Sequence, residues 1–419
     1  MTPTRRPLAL AVSLALCGAA AAQERQGATL PLFGPGNYQR LATSDVWRSW
    51  NGGPTDAILR PGLKLMFFGE LEGCPSGTEA PQGGPLQESF DGARWRQLAE
   101  LTGLPPGRQG QRHRWAPAPD PRLCRGSAAD DAPGELAFAQ LNTDPDEGGL
   151  GLYSVSGPQT RFKAYGPGGQ GRTGANADIQ GSFVHFRQAW NGPDPFRPWA
   201  GGPESTLQLR SRQGVAQVQA GSARTPEGEV QVKQQLGMTV INPRCLRENR
   251  PGQRRLCQIQ YLFNTAVYRS GVNDWSRVAW FQQASVMGDP AQGAMPVVHG
   301  PVGEAGRVAV DAGSQLPLYR SEGAASQHQP FADRLFDLRV RFRDLLAAQR
   351  VIVGRQLRRA PENLRAEELE AEFGPDWNRP EAWVLLDVNV GQEAYNRGSR
   401  ETAAIGGQLR LLEISSLPR

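Results

Sequence analysis

From Asp178 to the C-terminus, apolar and polar residues alternate over long segments, the period-2 pattern of strands with one face on a core. Val230, Val232, Leu236, Met238 and Val240 share one parity. So do Ile259, Tyr261, Phe263, Thr265 and Val267, followed by Val278, Trp280, Ala284 and Val286 in the next strand. Phe336, Leu338, Val340 and Phe342 alternate with Asp337, Arg339, Arg341 and Arg343, which turns three arginines outward from one strand. The same stretch fits a helix through Phe331, Leu335, Leu338, Phe342 and Leu345. We read it as a strand to about Phe342 and a helix from Leu345 to Ile352. A second helix is predicted from Pro361 to Phe373, opened by proline and stopped by Gly374-Pro375. Strands at Trp383 to Val390 and Gln408 to Ile414 close the chain.

Upstream the pattern is sparse. Residues 23 to 165 hold short apolar pieces, such as Leu63 to Phe68 and Glu135 to Leu141, with a helical piece at Phe90 to Leu101. The segment 166–177 is the best linker, because it is dense in glycine and has nothing to bury. These features predict a mainly β protein: an antiparallel β-sandwich (jelly roll) over 178–419, a few short helices, and a loop-rich N-terminal region over 23–165.

Residues 1–22 carry the parts of a secretory signal: Arg5 and Arg6, the apolar run Leu8 to Leu16, and Ala20-Ala21-Ala22 before Gln23. The expected destination is the periplasm or the exterior, with the protein peripheral to a membrane at most. Four cysteines then remain, Cys74, Cys124, Cys245 and Cys257, which allow three pairings. We favour Cys245 with Cys257, because Leu246 to Leu256 reads as a loop joining two strands, and this leaves Cys74 with Cys124. No Cys-x-x-Cys spacing supports a zinc or redox site. The net charge of +5 falls to +3 when Arg5 and Arg6 are removed with the signal, and the bases are spread among nearly as many acids. No nucleic-acid partner is expected from that balance.

Phe336-Asp-Leu-Arg-Val-Arg-Phe342 before a short helix, Trp383-Val-Leu-Leu-Asp-Val-Asn-Val-Gly-Gln-Glu-Ala-Tyr395 and the closing strand together resemble the layout of the concanavalin A-like lectin and glucanase superfamily, over residues 178–419. The resemblance implies two curved sheets with sugar bound on a concave face. Retaining glucanases of that superfamily carry two glutamates and an aspartate on one strand, since hydrolysis needs two carboxyl groups about 5 Å apart. No such strand exists here; Asp387, Asn389 and Glu393 come nearest and are expected to face solvent. Gln258-Ile-Gln260 and Leu207-Gln-Leu-Arg210 resemble strands of the alginate lyases, with Gln260 standing where that family has histidine.

Candidate ligand contacts are His185 and Arg187, which share a parity on one strand, and Trp190 and Trp199, which bracket a proline-rich loop where exposed rings could stack on sugars. His113, His299 and His328 are placed in loops. No metal site or cofactor is expected, although calcium held by loop oxygens leaves no clear trace in a sequence. The function expected is carbohydrate binding without catalysis. A polysaccharide lyase and an envelope structural protein without a small ligand are the alternatives.

Overall fold

Alternation decides which residues face the core, and long-range pairing decides where each strand lies. The computed structural model describes residues 29–31, 62–68, 100–104, 112–115, 137–142, 149–156, 177–187, 195–220, 229–250, 255–269, 281–287, 295–302, 309–310, 317–322, 330–397, 401 and 403–418. In chain order the strands are β1 (Thr29–Pro31), β2 (Gly62–Phe68), β3 (Arg112–Trp115), β4 (Ala137–Asn142), β5 (Gly149–Ser156), β6 (Ala177–Arg187), β7 (Thr206–Gln219) and β8 (Glu229–Ile241). They continue with β9 (Gln258–Arg269), β10 (Phe281–Met287), β11 (Met295–Pro301), β12 (Ala309–Val310), β13 (Arg320–Glu322), β14 (Phe331–Arg341), β15 (Val384–Arg397) and β16 (Ala403–Leu417). Helix α1 spans Pro243–Glu248, α2 Phe342–Leu357 and α3 Ala366–Phe373.

Two eight-stranded sheets form a β-sandwich. The first runs β13-β14-β7-β16-β5-β4-β3, with β1 on β16, and the second runs β12-β10-β11-β9-β8-β15-β6-β2. Pairing is antiparallel except for β9 with β11 and β10 with β12. The chain leaves β9 for β10 and only then lays β11 between them, which makes β9 and β11 parallel, and β12 follows β11 onto the far side of β10, which makes β10 and β12 parallel; alternation alone encodes neither.

Strands β1 to β5, from residues 29–156, hydrogen-bond into these same sheets. The sandwich is therefore built from both sides of the segment 166–177, which corrects the expectation that it starts at 178. The signal segment, Cys74, Cys124, Trp190 and His328 lie outside the described residues.

Facing sides of the sheets form one core through Leu207, Leu209 and Leu338 on the first and Leu236, Met238, Val388 and Val390 on the second. A chain of buried amides crosses this core. Gln392 Nε2 donates to Gln234 Oε1 (3.0 Å), Gln234 Nε2 to Gln213 Oε1 (2.8 Å), and Gln213 Nε2 to Ser211 Oγ (2.9 Å). Thr265 Oγ1 also donates to Gln213 Oε1, at 2.7 Å. Gly407 of β16 leaves room for it: a Cβ there would meet Gln234 Oε1, lie 2.6 Å from Gly214 O and 2.9 Å from Gln392 Nε2.

The strand-to-helix change comes at Phe342, as the sequence predicts, but α2 runs on to Leu357. Asp344 accepts from the Arg341 backbone N–H at 3.0 Å and pairs with the Arg341 guanidinium at 2.5 Å, capping the first turn. Arg341 is thus a cap, while Arg339 stays on the strand and binds Asp337 (2.8 Å). The helix expected over 361–373 divides into a 3₁₀ turn at Pro361–Asn363 and α3.

Cys245 and Cys257 are joined, with Cα atoms 5.3 Å apart, and β8 pairs with β9 from Ile241 opposite Gln258 onward. The hairpin is as expected, but Cys245 sits in α1 rather than in a loop. Asn242 caps α1, accepting from the Arg244 and Cys245 N–H groups, and its Nδ2 donates to Pro375 O (2.8 Å). Gly374, with φ 76°, packs against the bridge: a Cβ there would be 2.8 Å from the Cys245 Sγ. No helix among the described residues is long and apolar enough to cross a membrane.

Two outcomes follow. Replacing Cys245 and Cys257 by serine should lower the unfolding free energy by about 3 kcal/mol, the chain-entropy value for a loop of roughly 13 residues. Denaturant titration of variant and parent checks it. Gly407→Ala should cost roughly 1–3 kcal/mol by forcing the amide chain apart, read as a lower denaturation midpoint.

Candidate functional site

The side of the second sheet turned away from the core is polar. Parity on β9 places Ile259, Tyr261 and Phe263 in the core cluster, so Gln260, Leu262 and Asn264 project outward. The cross-strand register then fixes the rows of this outer face. Gln260, Thr239, Asp387 and Arg187 occupy one row; Leu262, Gly237, Asn389 and His185 the next; Asn264, Gln235 and Gly391 the third. Lys233 and Glu393 follow, paired at 2.8 Å. An apolar plug of Ile241, Val384 and Leu386, with Leu246 of α1 against it, closes the end near the disulfide.

Several of these polar side chains are nearly out of solvent. Asp387 is 2% exposed, Asn389 0%, and Gln260 and Gln235 4% each. Glu393 is 9% exposed, so the expectation that Asp387, Asn389 and Glu393 face solvent is corrected. Asn389 lies over Gly237, where a Cβ would meet its Oδ1, and its Nδ2 donates to Asp387 Oδ1 at 3.1 Å. Gln235 Nε2 donates to Asn264 Oδ1 at 2.9 Å. Their other ends are unmatched: no donor reaches Asn389 Oδ1, Gln235 Oε1 or Gln260 Oε1 among the described residues. A buried acceptor left without a donor costs about 1–3 kcal/mol, so three on one face call for an explanation.

The sequence-predicted contacts divide. His185 and Arg187 sit on β6, opposite Asn389 and Asp387, so the register brings both positions to this face. Trp199 does not reach it. The ring is fully buried, its Nε1 donates to Val340 O (2.9 Å), and it packs on Phe342 at 5.8 Å between centroids. It is a core anchor joining the turn before β7 to the start of α2, and the expectation of an exposed, sugar-stacking ring is corrected. His299 lies in β11 rather than in a loop, in register with Leu262, and His113 lies in β3.

Among the described residues no cluster of histidine, cysteine, aspartate and glutamate could hold a metal ion. Asp387 and Glu393 are six residues apart on β15, about 20 Å along an unbroken strand, against the ~5 Å a retaining glycosidase requires. Arg210 is on the outer face of the first sheet, bound to Glu413 (3.3 Å), whereas Gln260 is on the outer face of the second. The two segments that resemble alginate lyase strands are thus on opposite sides of the sandwich and share no site.

No protein-family model and no curated protein matches the chain. Among solved structures, the chain is similar to a loop-swap mutant of Xyn11A from Necallimastix patriciarum, at 7% identity, with 73% of this chain and 91% of that chain covered and a TM-score of 0.25. A likeness of that size carries no argument about function.

Sequence reasoning missed Gln235 and Thr239, and it singled out Gln260 only through the likeness to an alginate lyase strand. Their signal was present as the polar parity of β8 and β9, opposite the apolar parity that located the core. Trp199→Phe should destabilise the protein by roughly 1–3 kcal/mol through the lost Nε1 bond and contact area, measured as a lower midpoint in denaturant.

Proposed function

We propose that this protein is exported and binds carbohydrate on the outer face of its second sheet, without turning it over. One observation carries this: Gln260, Asn389 and Gln235 present buried, unmatched amide oxygens on a regular sheet, in rows that also hold Thr239 and Asp387. Amide and carboxylate groups held rigidly on strands suit a ligand that offers many hydroxyls, because each hydroxyl both donates and accepts. His185 and Arg187, one strand over, extend the same rows.

Non-catalytic binding fits the spacing of the acids on β15, which is too wide for a retaining pair. Export rests on the reading of residues 1–22 as a signal, and the Cys245–Cys257 bridge suits an oxidising compartment. The periplasm and the exterior serve equally as destinations.

Retention on insoluble polysaccharides and on a glycan array tests the proposal. The purified protein should bind at least one glycan, and Thr239→Val, which removes one hydroxyl from the face, should weaken that binding roughly three- to tenfold. Absence of retention on every glycan would overturn it.

A further inference from the structure

We propose that the disulfide-closed segment at α1 is a second binding surface, which docks an acidic polysaccharide on exposed arginines. It lies apart from the rows of Gln260, Asn389 and Gln235 and stands independently of the outer-face reading. Between Arg244 and Cys257 the sequence places Arg244, Arg247, Arg250, Arg254 and Arg255 against the single acid Glu248. Over the whole chain the bases, 46, are nearly matched by the acids, 41, so this local excess departs from the rest of the molecule.

The fold keeps the excess at the surface. Arg244 and Arg247 are three residues apart on α1 and share one side of it. Both are exposed, and so is Arg250 just beyond the helix. Arg255 is half-buried and returns to the same place, where its backbone N–H donates to Asn249 Oδ1 at 3.2 Å. Arg379 arrives from the turn after α3 and shares Asp376 with Arg244.

The neighbouring acids do not neutralise the group. Glu248 and Asp376 are both held by Arg244, at 2.9 and 2.7 Å. Glu372 of α3, whose backbone carbonyl accepts from the Leu256 N–H, is half-buried, and burial raises its carboxyl pKa. Arg247, Arg250 and Arg255 make no side-chain ion pair among the described residues. The backbone that carries them is pinned: the Cys245–Cys257 bridge closes the segment, Asn242 ties α1 to Pro375, and Gly374 packs on the bridge. A scaffold fixed before the ligand arrives lowers the ordering cost of binding.

The chemistry of the group selects the partner. A guanidinium offers a planar fork that pairs bidentately with a carboxylate or sulfate. Several forks side by side suit a chain that carries such groups at intervals. No aromatic or large apolar side chain is exposed among them: Phe373 and Trp377 are buried, and Leu246 rests against the apolar plug. The surface thus has no anchor to insert into lipid, where stable attachment takes a second signal besides charge. It also has no ring on which a nucleic-acid base could stack. An acidic polysaccharide needs neither.

The experiment is calorimetric titration of the purified protein with dextran sulfate and with polygalacturonate, at low and high salt. Vesicles of phosphatidylcholine with phosphatidylglycerol, and duplex DNA, are titrated alongside. The acidic polysaccharides should bind with an affinity that falls as salt rises; binding of either one alone supports the proposal and identifies the acidic group. Arg247→Gln and Arg250→Gln should each lower that affinity roughly two- to fivefold, with an unchanged denaturation midpoint because both side chains are exposed and unpaired. Arg320→Gln removes the same charge from the outer face of the first sheet, where Arg320 stands opposite Arg339, and should leave the affinity unchanged. Equal losses in all three variants would show general attraction to a basic protein and overturn the proposal. Absence of binding to both polysaccharides, or binding of vesicles or DNA without them, overturns it as well. The Thr239→Val comparison tests the outer-face reading separately, so the two can fail one without the other.

Discussion

The amide chain that crosses the core, from Gln392 through Gln234 to Gln213 and Ser211, is the constraint on which the rest of the sandwich depends. Apolar contacts between sheets are non-directional and tolerate sliding. Hydrogen bonds between buried amides do not. Each link is directional, and slipping any of these strands by one residue would turn its amide outward and leave its partners stranded in the interior. The first sheet contributes Gln213 and Ser211 from β7, while the second contributes Gln234 from β8, Thr265 from β9 and Gln392 from β15, so the lock acts on both sheets together. Gly407 of β16 completes it by keeping that strand's backbone close without a side chain in the way.

That lock sets the outer face as well. On β15, Gln392 points into the core while Asp387, Asn389 and Glu393 point out, and on β8 Gln234 points in while Gln235 points out. Because side chains alternate along a strand, fixing the inner parity fixes the outer one. The rows of Gln260, Asn389 and Gln235 owe their alignment to interior bonds they do not themselves make. The apolar plug of Ile241, Val384 and Leu386 bounds those rows at the end that the disulfide and α1 hold against the turn after α3.

How much of this could be read from the chain differs by element. The inward parities of β8, β9 and β14 were legible because their apolar residues repeat every second position, and the hairpin closed by Cys245–Cys257 was legible because polar residues fill the span between two such runs. The place of β16 between β7 and β5 was not, since that pairing joins residues about two hundred positions apart and no local pattern encodes it. The contribution of β2 to the second sheet was hidden for the same reason: Leu63 to Phe68 reads as an isolated apolar piece until β6 is beside it. Trp199 was misplaced because glycines and prolines around it mark a loop, whereas burial depends on Phe342 and Val340, which arrive from far along the chain. Asp387 and Asn389 were assigned to solvent on their chemistry alone, and only the strands on either side of β15 show how little solvent reaches them.

The two sets of buried amides obey one rule with opposite results. Inside the sandwich, the glutamines of adjacent strands face each other at distances that allow them to pair, and that pairing is where their specificity is spent. On the outer face, Gly237 stands where a further side chain could have donated, so the Asn389 oxygen lies over backbone without a donor. A sheet that satisfied every group on that face would be more stable. The unmatched oxygens are therefore best understood together with the interior lock, because only a scaffold with a strongly specified register can hold several unsatisfied acceptors in line without relaxing to satisfy them.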